Sequence, residues 1–157
     1  MAPVDKKTLS ERDICTKFIT PALSRSGWDL HTQVREEVNI TKGRISVKSG
    51  SVVRGNPKFA DYILYYRHNV PIAVIEAKDN NHTVGAGMQQ ALEYAQMIDV
   101  PFVFSSNGDA FLEHDSTGTK SPMEEEFSLD AFPSPQNLWK RYCQWKGIDE
   151  GKIAAIT

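Results

Sequence analysis

The sequence predicts an α/β fold in which a mixed central β-sheet is flanked by helices. Three observations support this fold: a β-hairpin pattern near the middle of the chain, an amphipathic helical pattern directly after it, and a second hairpin beyond that helix. Strands and helices in this order pack as layers around one sheet. At 157 residues the chain has the length of one ordinary domain, so we expect a single domain over residues 1–157.

The first predicted helix ends at Gly27. Thr8 followed three residues later by Glu11 has the form of a capping box, and apolar residues then recur at helical spacing, namely Ile14, Phe18, Ala22 and Leu23. Pro21 should kink or split this helix, because proline has no N–H to donate and its ring crowds the preceding turn. Residues 28–40, in which Val34, Val38 and Ile40 alternate with polar residues, and residues 45–53 are then predicted as strands, although the pattern of this region is ambiguous.

The first hairpin has the clearest pattern in the chain. Residues 60–66 are rich in strand formers, the letters RHN supply a turn, and Pro71 begins the second strand, where a proline is tolerated. A helix follows with one apolar face, formed by Val84, Met88, Ala91, Leu92, Ala95 and Ile98. Asn107-Gly108 then predicts a second hairpin, between the segments VPFVFSS and AFLEH.

The last predicted helix begins with Ser134 as N-cap and Pro135 at the first helical position, and it ends at Gly147. We expect residues 134–157 to contain this helix and the start of a linker. The acidic run Glu124 to Glu126 before it is expected to be a solvated loop, with a contact to a partner as the alternative.

Composition and charge limit the possible functions. The chain is 40% hydrophobic and 24% charged, has no apolar run long enough to cross a bilayer, and has no signal-peptide pattern, so we expect a protein with no membrane association. Cys15 and Cys143 lie in helix-like segments and favour a reducing, cytoplasmic location. Because these two cysteines and the four histidines are dispersed, zinc is disfavoured and any metal should be one that prefers oxygen ligands.

The net charge of -2 argues against a protein whose whole surface binds phosphates. Residues 1–60 nevertheless carry eleven Lys and Arg against six Asp and Glu. Within this basic half, four residues are candidates for phosphate contacts, and an ordinary surface charge is the alternative for each: Arg35, Arg44, Arg54 and Lys58.

Three ionisable residues of the first hairpin are predicted to converge. A turn centred between His68 and Asn69 places Asp61 opposite Glu76, and opposed residues of antiparallel strands point to the same face with their Cβ atoms about 5 Å apart. Lys78 follows Glu76 by two residues and therefore projects from that face as well. The alternative is an exposed strand end, since the pattern E-x-K alone is common.

Two carboxylates at this distance repel each other unless a cation lies between them. Oxygen ligands without cysteine or histidine suit Mg²⁺, which completes its coordination with water and with substrate phosphate oxygens. Lys78 would hold the attacking water or neutralise charge on the phosphate, so the pattern indicates phosphodiester hydrolysis. On the next helix, Gln90 and Tyr94 face one way and could reach a ligand, although an ordinary helix surface is the alternative reading of this pair.

These residues resemble a known nuclease motif. Asp61, Glu76-Ala77-Lys78 and the run from Gln90 to Tyr94 are similar to the PD-(D/E)xK motif with the Q-x-x-x-Y addition of RecB-like nucleases. More closely, residues from about Ser10 to Ile148 resemble the N-terminal nuclease domain of the R subunit of type I restriction enzymes. The resemblance is carried in order by SERDICTKFITPALSRSGW, QVREEVNITKGRI, ADYILYY, IAVIEAK, QQALEYAQMIDVPFVFSSNGDAF and FPSPQNLWKRYCQWKGI. The leading proline of the motif is replaced by Ala60, with Pro57 upstream.

The resemblance implies a restriction-endonuclease-like core that cuts double-stranded DNA with Mg²⁺. It implies that Asp61 and Glu76 bind the metal, with the backbone carbonyl of Ala77 as a further ligand, and that Lys78 is the catalytic lysine. Gln90 and Tyr94 match the pair that supports DNA engagement and activity. Glu11 stands where related nucleases often place a further acid, although its capping role explains it equally well.

In that family a translocase driven by ATP follows the nuclease domain, and the full enzyme assembles with methyltransferase and specificity subunits. The phosphate-binding pattern G-x-x-x-x-G-K-[ST] does not occur in these 157 residues, so the chain is expected to be an N-terminal fragment of a longer motor subunit, monomeric when isolated. The alternatives are a stand-alone RecB-like nuclease of repair or defence, and a non-catalytic domain for DNA binding or assembly.

Overall fold

A six-stranded mixed sheet in the order β1-β2-β3-β4-β5-β6 forms the centre of the molecule. The structure is a computed structural model that describes residues 5–40 and 58–148, so the predicted strand over residues 45–53 lies outside the described residues, as do Arg44 and Arg54. The strands are β1 Val34–Ile40, β2 Lys58–Arg67, β3 Val70–Ala77, β4 Phe102–Ser106, β5 Ala110–Asp115 and β6 Glu124–Ser128. Neighbouring strands are antiparallel, except that β3 and β4 are parallel.

Helices cover both faces of the sheet, as the predicted α/β class requires. The described α-helices are α1 Glu11–Ile14, α2 Thr20–Arg25, α3 Met88–Ile98 and α4 Pro135–Lys146. Helix α3 connects the parallel strands β3 and β4 and packs on one face against Ile63, Val74 and Val103. The helices α1, α2 and α4 contribute to the core on the other face, around Leu64 and Phe104. None of the helices in the described ranges has the length and apolar character needed to cross a membrane.

The first helical region starts later than predicted. Its capping box joins Ser10 and Asp13: the Ser10 hydroxyl accepts from the N–H of Asp13 at 3.0 Å, and the Asp13 carboxylate accepts from the N–H of Ser10 at 3.4 Å. Thr8 belongs instead to a short 3₁₀ turn, Lys6–Thr8, so the predicted capping pair of Thr8 and Glu11 is wrong. A π-helical segment, Cys15–Ile19, separates α1 from α2 and ends two residues before Pro21, which agrees with the predicted split.

The predicted alternation in β1 is wrong at its centre. Val34 packs in the core beside α1 and α2, whereas Val38 and Ile40 pack in the core beside α3. The change of face occurs at Glu37, whose backbone adopts a left-handed conformation with φ of 53°. On β2 the same change separates Ala60 from Tyr62, on either side of Asp61. The strand also begins only at Val34, six residues after the predicted start at Trp28.

Three later elements can be compared directly with the prediction. The second hairpin forms from β4 and β5 around Asn107-Gly108, and α4 has Ser134 as N-cap and Gly147 as C-cap, as predicted. The acidic run Glu124 to Glu126 was expected to be a loop but forms the edge strand β6. Two of its carboxylates have partners: Glu124 lies 2.8 Å from Nδ1 of His114, and Glu125 forms an ion pair with Lys120 at 2.7 Å.

Gly108 and Gly118 provide a matched test of the packing between the first helical region and the sheet. Both have positive φ, of +91° and +76°, but a Cβ at Gly108 would lie 3.1 Å from Ile14 whereas a Cβ at Gly118 would contact nothing within 4 Å. We expect Gly118→Ala to cost about 1 kcal/mol of unfolding free energy from backbone strain alone. Gly108→Ala should cost about 1–3 kcal/mol more, because it also overpacks the core. Equal losses in urea denaturation would contradict this packing.

Candidate active site

Asp61 and Glu76 lie at the same end of β2 and β3. The residues next to them are paired in the predicted register, as Tyr62 with Ile75, Ile63 with Val74 and Leu64 with Ala73. A register shift occurs only beyond Leu64, towards the turn. The two acids are therefore opposed, as the hairpin pattern predicts.

Each of the two acids accepts a hydrogen bond from the backbone of the opposite strand. The N–H of Asp61 donates to Oε2 of Glu76 at 2.7 Å, and the N–H of Ala77 donates to Oδ2 of Asp61 at 2.8 Å. These two bonds cross between β2 and β3 just beyond the last backbone pair, Tyr62 with Ile75. The two bonds form an exchange of hydrogen bonds between the strands and hold the carboxylates side by side. Oδ1 of Asp61 and Oε1 of Glu76 take no part in this exchange.

Crowding of negative charge marks this end of the sheet. Burial, followed by the charge of Asp61, raises the pKa of Glu76 to about 8, and only 3% of Glu76 is exposed. Burial also raises the pKa of Asp61. The positive charge of Lys78 opposes the increase at both carboxylates, so its ammonium group lies near them. The structure thus brings Asp61, Glu76 and Lys78 together.

Glu11 is also close to this group. With its capping role excluded, Glu11 is the first residue of α1, and its pKa is raised by burial and then by the charge of Asp61. Two acids that sequence reasoning missed, Glu37 and Asp79, act on the same group: Glu37 raises the pKa of Asp61 and Asp79 raises that of Glu11. Asp79 directly follows Lys78 and could have been suspected, whereas Glu37 becomes visible only through the pairing of β1 with β2.

Tyr94 lies in the core beneath α3, so its interpretation as a residue of the helix surface is wrong. It is 2% exposed, and its pKa is raised by burial and then by the charge of Glu76. The exposed Gln90 donates from Nε2 to the Tyr94 hydroxyl at 2.7 Å, so the pair joined by i, i+4 spacing is in direct contact. This hydroxyl connects the helix surface with the region of the carboxylates.

The start of α3 packs directly on Glu76. A Cβ at Gly87 would lie 3.2 Å from the Cβ of Glu76, so a side chain there would displace the strand end. Ser105, which pairs with Glu76 in the parallel ladder, accepts from the N–H of Gly87 at 3.0 Å and donates to the carbonyl of Val84 at 2.7 Å. Sequence reasoning missed Gly87 and Ser105, because their contacts depend on how α3 crosses the sheet.

The loop after Lys78 is held by buried amides. Nδ2 of Asn80 donates to the carbonyl of Asn107 at 2.8 Å, and Nδ2 of Asn107 donates to the carbonyl of His82 at 2.7 Å. The N–H of Lys78 itself donates to the carbonyl of Ser106 at 2.9 Å. These bonds fix the backbone that carries the lysine, because both asparagines are almost fully buried.

Two of the basic candidates can be placed, and both lie on the surface. Nζ of Lys58 pairs with Glu93 of α3 at 2.9 Å. The guanidinium of Arg35 lies over the ring of Tyr65, 5.3 Å from its centroid. A role of either residue in phosphate binding stays a prediction.

The donor set fits a small oxygen-loving cation better than zinc. In residues 5–40 and 58–148, no group of three or more His, Cys, Asp or Glu side chains has the geometry of a metal site. Mg²⁺ does not need such a group, because it usually takes one or two carboxylates and keeps several waters. Asp61 and Glu76 supply two such carboxylates. The backbone carbonyl of Ala77 as a further ligand stays a prediction.

Comparison with known families identifies the relationship. The family model described as Type I restriction enzyme R protein N terminus (HSDR_N) matches residues 30–127. The chain belongs to this family.

Named relatives and a solved structure agree with this assignment. The chain is 44% identical over its whole length to the Type I restriction enzyme EcoAI endonuclease subunit of Escherichia coli, and spans 20% of that protein. It is 31% identical, over 86% of its length, to the EcoKI endonuclease subunit of Escherichia coli strain K12, of which it spans 11%. A solved fragment assigned as an HsdR subunit of a type I restriction enzyme from Vibrio vulnificus YJ016 matches with a TM-score of 0.75 and 41% identity, covering 90% of this chain and 27% of that chain. The predicted restriction-endonuclease-like fold is consistent with this neighbour.

Glu76→Gln tests the electrostatic cost of the carboxylate pair. The folded-state pKa of about 8 exceeds the ordinary value of 4.5, so the stabilisation from protonated Glu76 is complete below pH 4.5 and is lost as the pH rises towards 8. In the metal-free protein at about pH 8.5, Glu76→Gln should raise the unfolding free energy by about 2–4 kcal/mol, with little change at about pH 4. Thermal denaturation at both pH values measures this.

The control is Glu126→Gln, at an exposed position. Equal effects of Glu76→Gln on the unfolding free energy at both pH values would contradict the electrostatic cost assigned to the carboxylate pair.

Proposed function

We propose that this chain is the nuclease domain of a type I restriction enzyme R subunit, and that it hydrolyses phosphodiester bonds of double-stranded DNA with bound Mg²⁺. The observation that carries this proposal is the exchange of hydrogen bonds that holds Asp61 and Glu76 together beside Lys78. Membership of the R protein family supports it, as do the names of the two relatives, which are endonuclease subunits.

Asp61 and Glu76 would hold the metal through their carboxylate oxygens, with the backbone carbonyl of Ala77 as a further ligand. Bound Mg²⁺ would polarise a phosphoryl oxygen and offset the charge of the two acids. The acids are already placed by their backbone hydrogen bonds, so the site is formed before substrate arrives. Their pKa values are raised first by burial, and a bound cation would offset the cost of ionising them.

Lys78 would orient the attacking water or donate to the oxygen on which negative charge develops. Its backbone is fixed by the bond to Ser106, and the following loop is fixed by Asn80 and Asn107. Such fixation suits a group that must keep its geometry during reaction. A non-catalytic binding domain gains nothing from this arrangement, which favours the enzyme.

The remaining predicted residues take supporting roles. Tyr94 and Gln90 would connect the carboxylate region to the DNA through their shared hydrogen bond. Glu11 would contribute a further acid beside Asp61, as the effect of Asp61 on its pKa suggests. Arg35, whose side chain is exposed, would contact phosphate from β1.

The whole enzyme would supply what this chain lacks. The chain spans a fifth or less of its two named relatives, so ATP binding and DNA translocation would belong to other parts of the R subunit. Methyltransferase and specificity subunits would be its partners in the cytoplasm. The linker to the motor would begin after α4, which ends at Lys146. A stand-alone nuclease of repair or defence is less well supported, because both named relatives are subunits of restriction enzymes.

Lys78→Ala and Asp61→Asn separate catalysis from metal binding. We expect Lys78→Ala to reduce Mg²⁺-dependent nicking of supercoiled plasmid by about 10²- to 10³-fold, because one preorganised transition-state donor is lost. Stabilisation by Mg²⁺ in thermal denaturation should persist in Lys78→Ala and disappear in Asp61→Asn, which keeps an acceptor for the N–H of Ala77. The exposed Lys140→Ala, on α4, is the control for both measurements. Full nicking by Lys78→Ala would contradict the catalytic role, and unchanged stabilisation by Mg²⁺ in Asp61→Asn would contradict the metal site.

Tyr94→Phe removes the buried hydroxyl and keeps the ring that fills the core. We expect about tenfold slower nicking, since Gln90 loses its partner while the packing beneath α3 is preserved. The melting temperature should change little, and Tyr142→Phe, on α4, is the matched control. If both variants nick plasmid at the same rate, the Tyr94 hydroxyl has no part in the reaction.

A further inference from the structure

Arg12 is a residue of α1 whose side chain reaches β1, the strand paired with the one that carries Asp61. Its NH1 atom pairs with Oε1 of Glu36 at 2.8 Å, and its NH2 atom pairs with Oε1 of Glu37 at 3.3 Å. The Arg12 side chain is 42% exposed, and both partners are exposed as well. The guanidinium is therefore held in place and remains open to solvent.

The pairing of β1 with β2 places this guanidinium beside the catalytic acids. Glu36 pairs with Tyr62 and Val38 pairs with Ala60, so Glu37 lies opposite Asp61. Strand β1 flanks β2 on one side, and β3, which leads into Lys78, flanks it on the other. Arg12 and Lys78 thus approach Asp61 from opposite sides. Consistent with this placement, the charge of Arg12 helps to lower the pKa of Asp61 against the effect of burial.

We propose that Arg12 binds a DNA phosphate next to the one that is cut. In the free protein, Glu36 and Glu37 hold its guanidinium in position, and the phosphate replaces them when DNA binds. The inference rests on the proposed nuclease function. A phosphate that approaches Asp61, Glu76 and Glu11 meets three acidic side chains, so positive charge on both flanks would help to hold the DNA backbone there.

The exchange is favourable because the two kinds of ion pair differ in strength. Exposed pairs with carboxylates contribute little and are screened by salt. Arg12 makes single contacts to two separate carboxylates, whereas one phosphate can accept two parallel charge-assisted hydrogen bonds from the same guanidinium. Arg12 can therefore leave Glu36 and Glu37 for a phosphate at small cost.

A purely structural role is the competing explanation, because the same ion pairs connect α1 to β1. The double variant Glu36→Gln/Glu37→Gln distinguishes the two roles. It weakens the same pairs as Arg12→Ala but keeps the guanidinium. If Arg12 binds phosphate, the double variant should bind DNA at least as tightly as the wild type. If Arg12 only connects the two elements, both variants should weaken DNA binding alike.

The test is binding of the chain to a 25-base-pair duplex, with Ca²⁺ in place of Mg²⁺, over a series of salt concentrations. Arg12→Ala should bind about tenfold more weakly at low salt, and the slope of log K against log salt should become shallower by about 1, as expected for one lost phosphate contact. Arg12→Lys should keep the wild-type slope and recover part of the affinity. Arg25→Ala is the matched control, since Arg25 also pairs with an exposed acid, Asp130, at 3.0 Å, and this variant should bind like the wild type.

The wild-type slope in Arg12→Ala would overturn the proposal, as would equal weakening of binding by Arg12→Ala and the double glutamine variant. Failure of the wild type to bind the duplex at all would count against both this inference and DNA as the substrate. Normal binding by the wild type together with full nicking by Lys78→Ala would instead overturn the catalytic assignment and leave the phosphate contact of Arg12 intact.

Discussion

The exchange of hydrogen bonds between two carboxylates and two backbone N–H groups is the interaction on which the rest of the site depends. Asp61 accepts from Ala77, and Glu76 accepts from Asp61, across two antiparallel strands. The exchange takes the place of ordinary ladder bonds and fixes two acids at a distance where they repel each other. Burial raises the pKa of both carboxyls, and the charge of Asp61 raises that of Glu76 further, so a bound cation would relieve the cost of ionising them.

The surrounding fold serves this exchange from three sides. The side chains of β1 and β2 change from one face of the sheet to the other at Glu37 and Asp61. The regular alternation of both strands therefore ends at the position of the Asp61 carboxylate. Helix α3 closes the opposite side, because Gly87 lets its first turn approach the Cβ of Glu76. The parallel pairing of β3 with β4 brings the loop after Lys78 next to the turn at Asn107, where buried amides join them.

Local patterns were sufficient for the parts of the fold that are defined within a short stretch of chain. The turn after Arg67 predicted the register that brings Asp61 to Glu76, and Ser134 and Gly147 predicted both ends of α4. Glu37 could not be found in this way, because its position opposite Asp61 depends on pairing between strands separated by residues 41–57. The same limit applies to β6, whose acidic residues resemble a loop until Lys120 and His114 are placed beside them.

The balance of charge also suggests an order of events for the proposed reaction. When all three are ionised, Glu11, Asp61 and Glu76 place three negative charges where a phosphate would lie, against the positive charge of Lys78 and that of Arg12, which Glu36 and Glu37 already pair. A phosphate added to this group increases the excess of negative charge, whereas a divalent cation cancels it. In the proposed reaction, metal binding before DNA would therefore be the less costly order, and Arg12 and Lys78 would gain most of their affinity for phosphate once the carboxylates are neutralised.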